Sequence, residues 1–155
     1  MPHILFVCTG NIFRSMIAEN ALRHAAGSDA PYIFSSAGTE AKTQVMVDIV
    51  REGLLKRGID PTGHVQRRLT TELLDSADGV VAMGLDHAEF IKTHFQREVK
   101  LFNEVAYGRR EAILDTWEAV PDYAVNPLDR DAHINRVVDH ICTAAIPFLA
   151  NADTI

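Results

Sequence analysis

Short apolar runs alternate with segments of helical periodicity along the 155 residues of the chain. Residues spaced three to four positions apart predict four helices, over 15–26, 45–57, 86–95 and 131–149. Four runs have the length and composition of buried strands: HILFV at 3–7, YIFSS at 32–36, GVVAM at 79–83 and VKLF at 99–102. Strands separated by helices favour parallel βαβ units. We therefore expect a single α/β domain over residues 1–155, with three layers and helices on both faces of a four-stranded parallel sheet.

Composition narrows the classes of function. Apolar residues make up 47% of the chain and charged residues 23%, which is ordinary for a globular protein. The net charge of −6 argues against a nucleic-acid partner, whose binding surface on a protein is normally basic. No apolar run approaches the roughly 20 residues that span a bilayer, and the N-terminus lacks the features of a signal peptide. The sequence thus predicts a cytoplasmic protein with no membrane partner.

Cysteine and histidine usage gives no sign of a metal or disulfide framework. The only two cysteines, Cys8 and Cys142, are too few for a thiolate metal cluster. The seven histidines form no established zinc motif with carboxylate partners. We expect neither a metal nor an organic cofactor, and a structural role for Cys142 in the core.

The loop from Cys8 to Arg14 carries the clearest chemical signal. It follows a predicted strand and precedes a predicted helix, at the sheet edge where parallel α/β folds bind ligands. Backbone N–H groups around Gly10 and Asn11, together with the start of the helix, can converge on an anion. The Arg14 guanidinium can hold two phosphate oxygens, and a positive environment favours the nucleophilic thiolate of a cysteine. The alternative is a buried Cys8 beside a surface Arg14, but the context favours phosphoryl transfer to sulfur.

The segment VCTGNIFRS, residues 7–15, resembles the signature loop of the low-molecular-weight protein tyrosine phosphatases. Nearly the whole chain takes part in the resemblance. Similar segments are SSAGT at 35–39, LLKRGID at 54–60, HVQRRLT at 64–70, VVAM at 80–83, VPDY at 120–123 and the final helix.

The resemblance implies roles for individual residues. Cys8 would be the nucleophile and Arg14 the phosphate clamp. The phosphate-binding residues would be Cys8, Thr9, Gly10, Asn11, Ile12, Phe13 and Arg14. A preorganised loop needs support, which would come from hydrogen bonds among Asn11, Ser15, Ser36 and His64.

Three features of the chain depart from the family pattern around the loop. Phe13 stands where many members have a second, protective cysteine, and Met16 stands where proline is common. No aromatic residue follows Thr39, since residues 40–45 read EAKTQV, although the family places an aromatic wall of the substrate site there. We expect the chemistry to survive these changes and the preference for tyrosine to be weakened.

The general acid is harder to locate. Asp122 precedes Tyr123, where the family has an Asp-Pro pair, and lies in a loop between two prolines that can hold a carboxyl group over the site. We predict Asp122 as the acid, with Asp129 next, and a substrate contact for Tyr123. Asp129 and Asp131 flank the start of the last helix, where acidic residues commonly cap. Asp115 is expected to be a helix-terminal or solvated charge.

The sequence therefore predicts a cysteine-dependent phosphomonoester hydrolase that acts on phosphotyrosine in proteins, or on small aryl phosphates, through a phosphocysteine intermediate. Two alternatives remain open at this point. One is an arsenate reductase that takes an external thiol, since Cys142 is the only other cysteine. The other is a non-catalytic module that binds phosphate.

Overall fold

The computed structural model describes residues 1–155 and contains one four-stranded, all-parallel sheet in the order β2-β1-β3-β4. Its strands are β1 (His3–Cys8), β2 (Ile33–Gly38), β3 (Gly79–Ala82) and β4 (Lys100–Leu101). The central strand β1 pairs with β2 on one side and β3 on the other, so Leu5 lies between Ser35 and Val80. The predicted fold class is confirmed.

Seven α-helices surround the sheet. They are α1 (Arg14–Ala26), α2 (Asp48–Leu55), α3 (Thr71–Ser76), α4 (Leu85–Phe95), α5 (Phe102–Tyr107), α6 (Thr116–Ala119) and α7 (Pro127–Ala150). A short 3-10 helix, Ala152–Thr154, follows α7. None of these helices is both long and apolar enough to cross a membrane.

The alternation of β1 divides the interior into two cores. Ile4, Phe6 and Cys8 face the larger core, which packs against α1, α2, α5 and α7. Leu5 and Val7 face the smaller core, which packs against α3 and α4. Successive side chains of a strand point to opposite faces of the sheet, so this pattern produces the three predicted layers. It also brings Cys8 to the carboxyl end of the strand beside α1.

Three short helices, α3, α5 and α6, were not predicted. The apolar run VKLF predicts a strand through Phe102, but Phe102 begins α5 instead. The Glu104 carboxylate accepts a hydrogen bond from Leu101 N at 2.7 Å, and this contact turns the chain into a helix directly after two strand residues. The helix ends at Gly108, whose φ of 71° favours glycine.

Two predicted helices begin three or four residues away from their predicted start. The helix predicted over 45–57 begins at Asp48, which leaves Val45 and Val47 outside it. The last helix begins at Pro127 rather than at residue 131. Asn126 caps it by accepting the backbone N–H of Asp129 at 3.3 Å, and proline is compatible with the first helical position.

Candidate active site

Asn11 organises the loop between β1 and α1. Its φ of 55° is left-handed, a conformation that asparagine tolerates better than most residues, and its side chain is buried. Asn11 Nδ2 donates to Ser15 Oγ at 3.0 Å and to Ser36 Oγ at 2.8 Å, while Oδ1 accepts from Arg67 N at 2.9 Å. The two serine contacts are those that the family resemblance implies.

His64 supports the same loop through a contact with its backbone. Its Nε2 lies 2.6 Å from the carbonyl oxygen of Asn11, and its Nδ1 lies 3.9 Å from the carboxylate of Glu19. Glu19 is itself buried and accepts a hydrogen bond from Ser36 Oγ at 3.3 Å. Glu19 is not among the residues predicted to support the loop. The available signal was a carboxylate one helical turn after Ser15, directly after the apolar residues Met16, Ile17 and Ala18.

The Cys8 side chain is buried, and its Sγ lies 2.9 Å from Ser15 Oγ. Because Asn11 Nδ2 already donates to Ser15 Oγ, the hydroxyl hydrogen of Ser15 is free to point at the sulfur. The Ser15 hydroxyl can therefore donate a hydrogen bond to the sulfur atom of Cys8.

Arg14 is only 2% exposed, so its charge needs partners. Its Nη1 donates to the carbonyl oxygen of Ile113 at 2.8 Å, and its Nη2 lies 3.3 Å from Asp115 Oδ2. The Glu118 carboxylate lies 3.7 Å from Nη1, and His87 Nε2 lies 3.4 Å from Nη2. These contacts hold the guanidinium beside the loop from segments that are about 70 to 100 residues away in sequence.

The structure brings Asp115, rather than Asp122, into the pocket that contains Cys8. Asp115 caps α6: its Oδ1 accepts from Thr116 N at 2.7 Å, and its own N donates to Glu118 Oε1 at 2.9 Å. The prediction of a helix-terminal charge is therefore correct, yet the other oxygen of the same carboxylate faces Arg14.

The predicted acid Asp122 lies on an exposed turn after α6 and is not among the residues that line the pocket. Asp129, the second candidate, is exposed, bonds to Asn126 at the start of α7, and does not line the pocket either. A capping box and the contacts with Arg14 hold Asp115 and Glu118 beside the loop, whereas Asp122 is exposed although its neighbour Tyr123 lines the pocket. The sequence pattern DTWE at 115–118 signalled the cap but not this direction.

The pocket has an aromatic wall, although no aromatic residue follows Thr39. Trp117, which is 60% exposed, and Tyr123, which is 43% exposed, line the same pocket as Cys8. Further apolar side chains of the lining are Ile12, Phe13, Val45, Val47, Val50 and Ile134. Tyr123, which is predicted to contact the substrate, lies on this lining, and Trp117 adds a second ring.

Cys142 lies on α7 and is half-buried. It lines a separate groove with Ala21, His24 and Arg57, and burial raises the pKa of its thiol. A disulfide relay from Cys8 therefore has no second thiol in the pocket. The structure also has no group of three or more histidine, cysteine or acidic side chains placed to hold a metal ion.

Comparison with known proteins agrees with this geometry. Residues 3–151 match the family model described as "Low molecular weight phosphotyrosine protein phosphatase". The chain belongs to this family of cysteine-based protein phosphatases. The family predicted from the sequence is confirmed.

Individual relatives differ in the substrates that their names state. The protein-arginine-phosphatase of Bacillus subtilis is 32% identical over an alignment of 122 residues that covers 72% of this chain and 77% of that protein. Low molecular weight protein-tyrosine phosphatase A of Mycobacterium tuberculosis is 35% identical over 94 residues, 58% of this chain and 57% of that protein. A solved structure of a YwlE mutant from Bacillus subtilis superimposes with a TM-score of 0.83 at 26% identity, covering 99% of both chains. A second solved structure, of YwlE arginine phosphatase with a phosphorylated active site serine, superimposes with a TM-score of 0.82 at 26% identity and covers 97% of this chain and 95% of that chain.

Proposed function

We propose that this protein hydrolyses phosphomonoesters through a phosphocysteine intermediate and that its substrate is phosphotyrosine in proteins. The observation that carries the proposal is the meeting of Cys8, Arg14 and Asp115 in one pocket. These side chains supply the nucleophile, the cation and the proton donor that such a reaction needs. The cytoplasmic location expected from the sequence stays a prediction.

In the first step, Cys8 Sγ attacks phosphorus in line with the leaving oxygen. The S–P bond forms, the P–O bond to the substrate breaks, and its electron pair passes to the leaving oxygen. Asp115 donates a proton to that oxygen as it leaves. Arg14 and the loop N–H groups stabilise the charge on the three equatorial oxygens.

In the second step, the Asp115 carboxylate accepts a proton from water, and the resulting nucleophile attacks phosphorus. The S–P bond breaks and inorganic phosphate leaves, which restores the Cys8 thiolate. Splitting one difficult displacement into two easier ones is the usual advantage of a covalent intermediate. The Ser15 hydroxyl, 2.9 Å from Sγ, supports the sulfur as the leaving group.

The choice of Asp115 as the acid replaces the earlier candidate Asp122 and predicts a contrast between two variants. We expect Asp115→Asn to lower kcat on phosphotyrosine by about 10²–10⁴-fold, the typical contribution of general acid catalysis. The loss on p-nitrophenyl phosphate should be smaller, because that leaving group needs little protonation. Asp122→Asn is the matched control and should leave both rates unchanged. Steady-state kinetics that showed the reverse order would return the assignment to Asp122.

The wall of the pocket supports an aromatic substrate. Trp117, Tyr123 and Ile12 can contact a flat phenyl ring. Phosphoarginine is the second candidate, because a relative is named a protein-arginine-phosphatase. A phosphoarginine side chain keeps a positively charged guanidinium, and Glu40 is the acidic residue of the outer rim that it could meet.

Peptides of one sequence that carry either phosphotyrosine or phosphoarginine distinguish these substrates. We expect a higher kcat/KM for phosphotyrosine. Trp117→Ala should lower it by a few-fold to about tenfold, since an aromatic pair contributes about 0.5–1.5 kcal/mol. Tyr107→Ala removes an exposed ring outside this pocket and is the control. A higher kcat/KM for phosphoarginine, unaffected by Trp117→Ala, would make phosphoarginine the substrate.

A further inference from the structure

His87 lies in the first turn of α4, yet its side chain reaches the phosphate-binding loop. The imidazole is 1% exposed, and its Nε2 lies 2.8 Å from Thr9 Oγ1 and 3.4 Å from Arg14 Nη2. The topology explains the contact: α4 follows β3, which pairs with β1, so the β3–α4 turn adjoins the β1–α1 loop at the sheet edge. His87 thus touches both the residue after the nucleophile and the cation of the site.

The hydrogen-bond donors around His87 indicate which tautomer its imidazole adopts. An arginine guanidinium can only donate hydrogen bonds, so the contact with Arg14 assigns Nε2 the role of acceptor, and the Thr9 hydroxyl, which is closer than the Asp86 carboxylate at 3.5 Å, can donate to the same atom. This assignment places the ring proton on Nδ1, which is buried and has no hydrogen-bond partner. Burial and the Arg14 charge lower the pKa of His87 to about 4, against the weaker opposing effects of Asp86 and Asp115. The imidazole is therefore neutral near pH 7.

Gly84 makes room for this ring. Its φ of −144° is extended and accessible to any residue, so the need for glycine there is one of space. A Cβ at this position would lie 2.8 Å from Asp86 Oδ1 and 3.3 Å from His87 Nδ1. The turn that ends β3 is therefore shaped to let the imidazole fold back toward the loop.

We propose that His87 is a positioning residue that holds Arg14 and Thr9 in the geometry that binds the phosphoryl group. This inference deepens the proposed function and rests on it. Without the acceptor at Nε2, the Arg14 Nη2 group keeps only Asp115 as a partner within reach. The guanidinium would then turn toward that carboxylate and would be oriented less often to donate two hydrogen bonds to phosphate. The Thr9 hydroxyl would also lose its contact with His87.

The test compares three substitutions at this position. Glutamine can place an amide oxygen near the former Nε2, asparagine is too short to do so, and leucine removes the polar group. Competitive inhibition by inorganic phosphate reports on the cradle itself. We expect the inhibition constant to rise about tenfold or more in His87→Leu and His87→Asn, because losing a hydrogen bond to a charged group typically weakens binding by about that factor. In His87→Gln, which can keep this hydrogen bond, the inhibition constant should stay within about threefold of wild type.

Controls separate this role from a structural one. His140→Leu removes a different histidine, which is half-buried and bonded to Asn103 on the α5–α7 side, and should leave the inhibition constant unchanged. Thermal unfolding shows which variants are folded, and the asparagine–glutamine contrast decides the question if the leucine variant does not fold. A wild-type protein that neither binds phosphate nor hydrolyses aryl phosphates would overturn the proposed function. Normal wild-type behaviour with equal inhibition constants across all folded His87 variants, or equal losses in both the glutamine and asparagine variants, would overturn the role of His87 alone.

Discussion

The Cys8→Ser variant is expected to release phosphate from phosphotyrosine at least about 10⁴-fold more slowly than wild type, because removing a nucleophile that acts together with its partners can cost about 10⁶-fold in kcat. A serine hydroxyl is a much weaker nucleophile than a thiolate at neutral pH. Serine occupies nearly the same space and can keep the contact with Ser15 Oγ, so the fold should be retained. Steady-state assays with chelator present measure the loss.

Two controls belong with the Cys8 experiment. Cys142→Ser changes the other thiol, which lies outside the pocket, and should keep the wild-type rate. Binding of inorganic phosphate to Cys8→Ser, measured by calorimetry, should persist because Arg14 and the loop N–H groups remain. A serine variant with substantial activity would remove Cys8 from the role of nucleophile.

Arg14→Lys is expected to have the second largest effect. Lysine keeps the charge but loses the planar fork that can bind two oxygens at once. It also loses the simultaneous contacts of the guanidinium with the carbonyl oxygen of Ile113, Asp115 and His87. Loss of one donor to a transition-state oxyanion typically costs about 10²–10³-fold in kcat, so we expect kcat/KM to fall by at least that factor.

The matched control for Arg14→Lys is Arg130→Lys, which changes a more exposed arginine paired with Asp131 at the start of α7. This control should leave kcat/KM within about twofold of wild type, as is usual for surface ion pairs. Thermal unfolding of Arg14→Lys checks that the buried charge is still accommodated. If the folded variant retained wild-type kcat/KM, the fork geometry of Arg14 would not be part of catalysis.

The sheet and its main helices could be predicted because their signals are local. Residues 4–7 form a continuous apolar run whose side chains point alternately into the two cores. Such buried runs are typical of parallel strands that are covered by helices on both faces. The short helices α3, α5 and α6 were missed because four to six residues give no measurable periodicity. Their formation depends on side-chain caps such as Thr70, Asp115 and Glu104.

The residues of the site also divide into those with a local sequence signal and those brought together only by the fold. The phosphate-binding loop is contiguous, so its spacing and composition are visible in seven residues. Asp115 and His87 reach Arg14 across 101 and 73 residues, and only the packing of α4 and α6 against the loop reveals them. Asp122 was predicted because a proline-bracketed loop matches the family pattern, and the structure places it on an exposed turn outside the pocket lining. The contrast between the Asp115 and Asp122 variants tests which of the two is the acid.

The most direct test of the central claim is to find the phosphoryl group on sulfur during turnover. Wild type and Asp115→Asn are mixed with an aryl phosphate, quenched within the first turnover, digested and analysed by mass spectrometry. The mechanism predicts a phosphoryl group on the peptide that contains Cys8, with greater accumulation in Asp115→Asn because Asp115 also activates the water of the second step. A burst of phenol with no phosphoryl group on Cys8, or with the group on another residue, would contradict it.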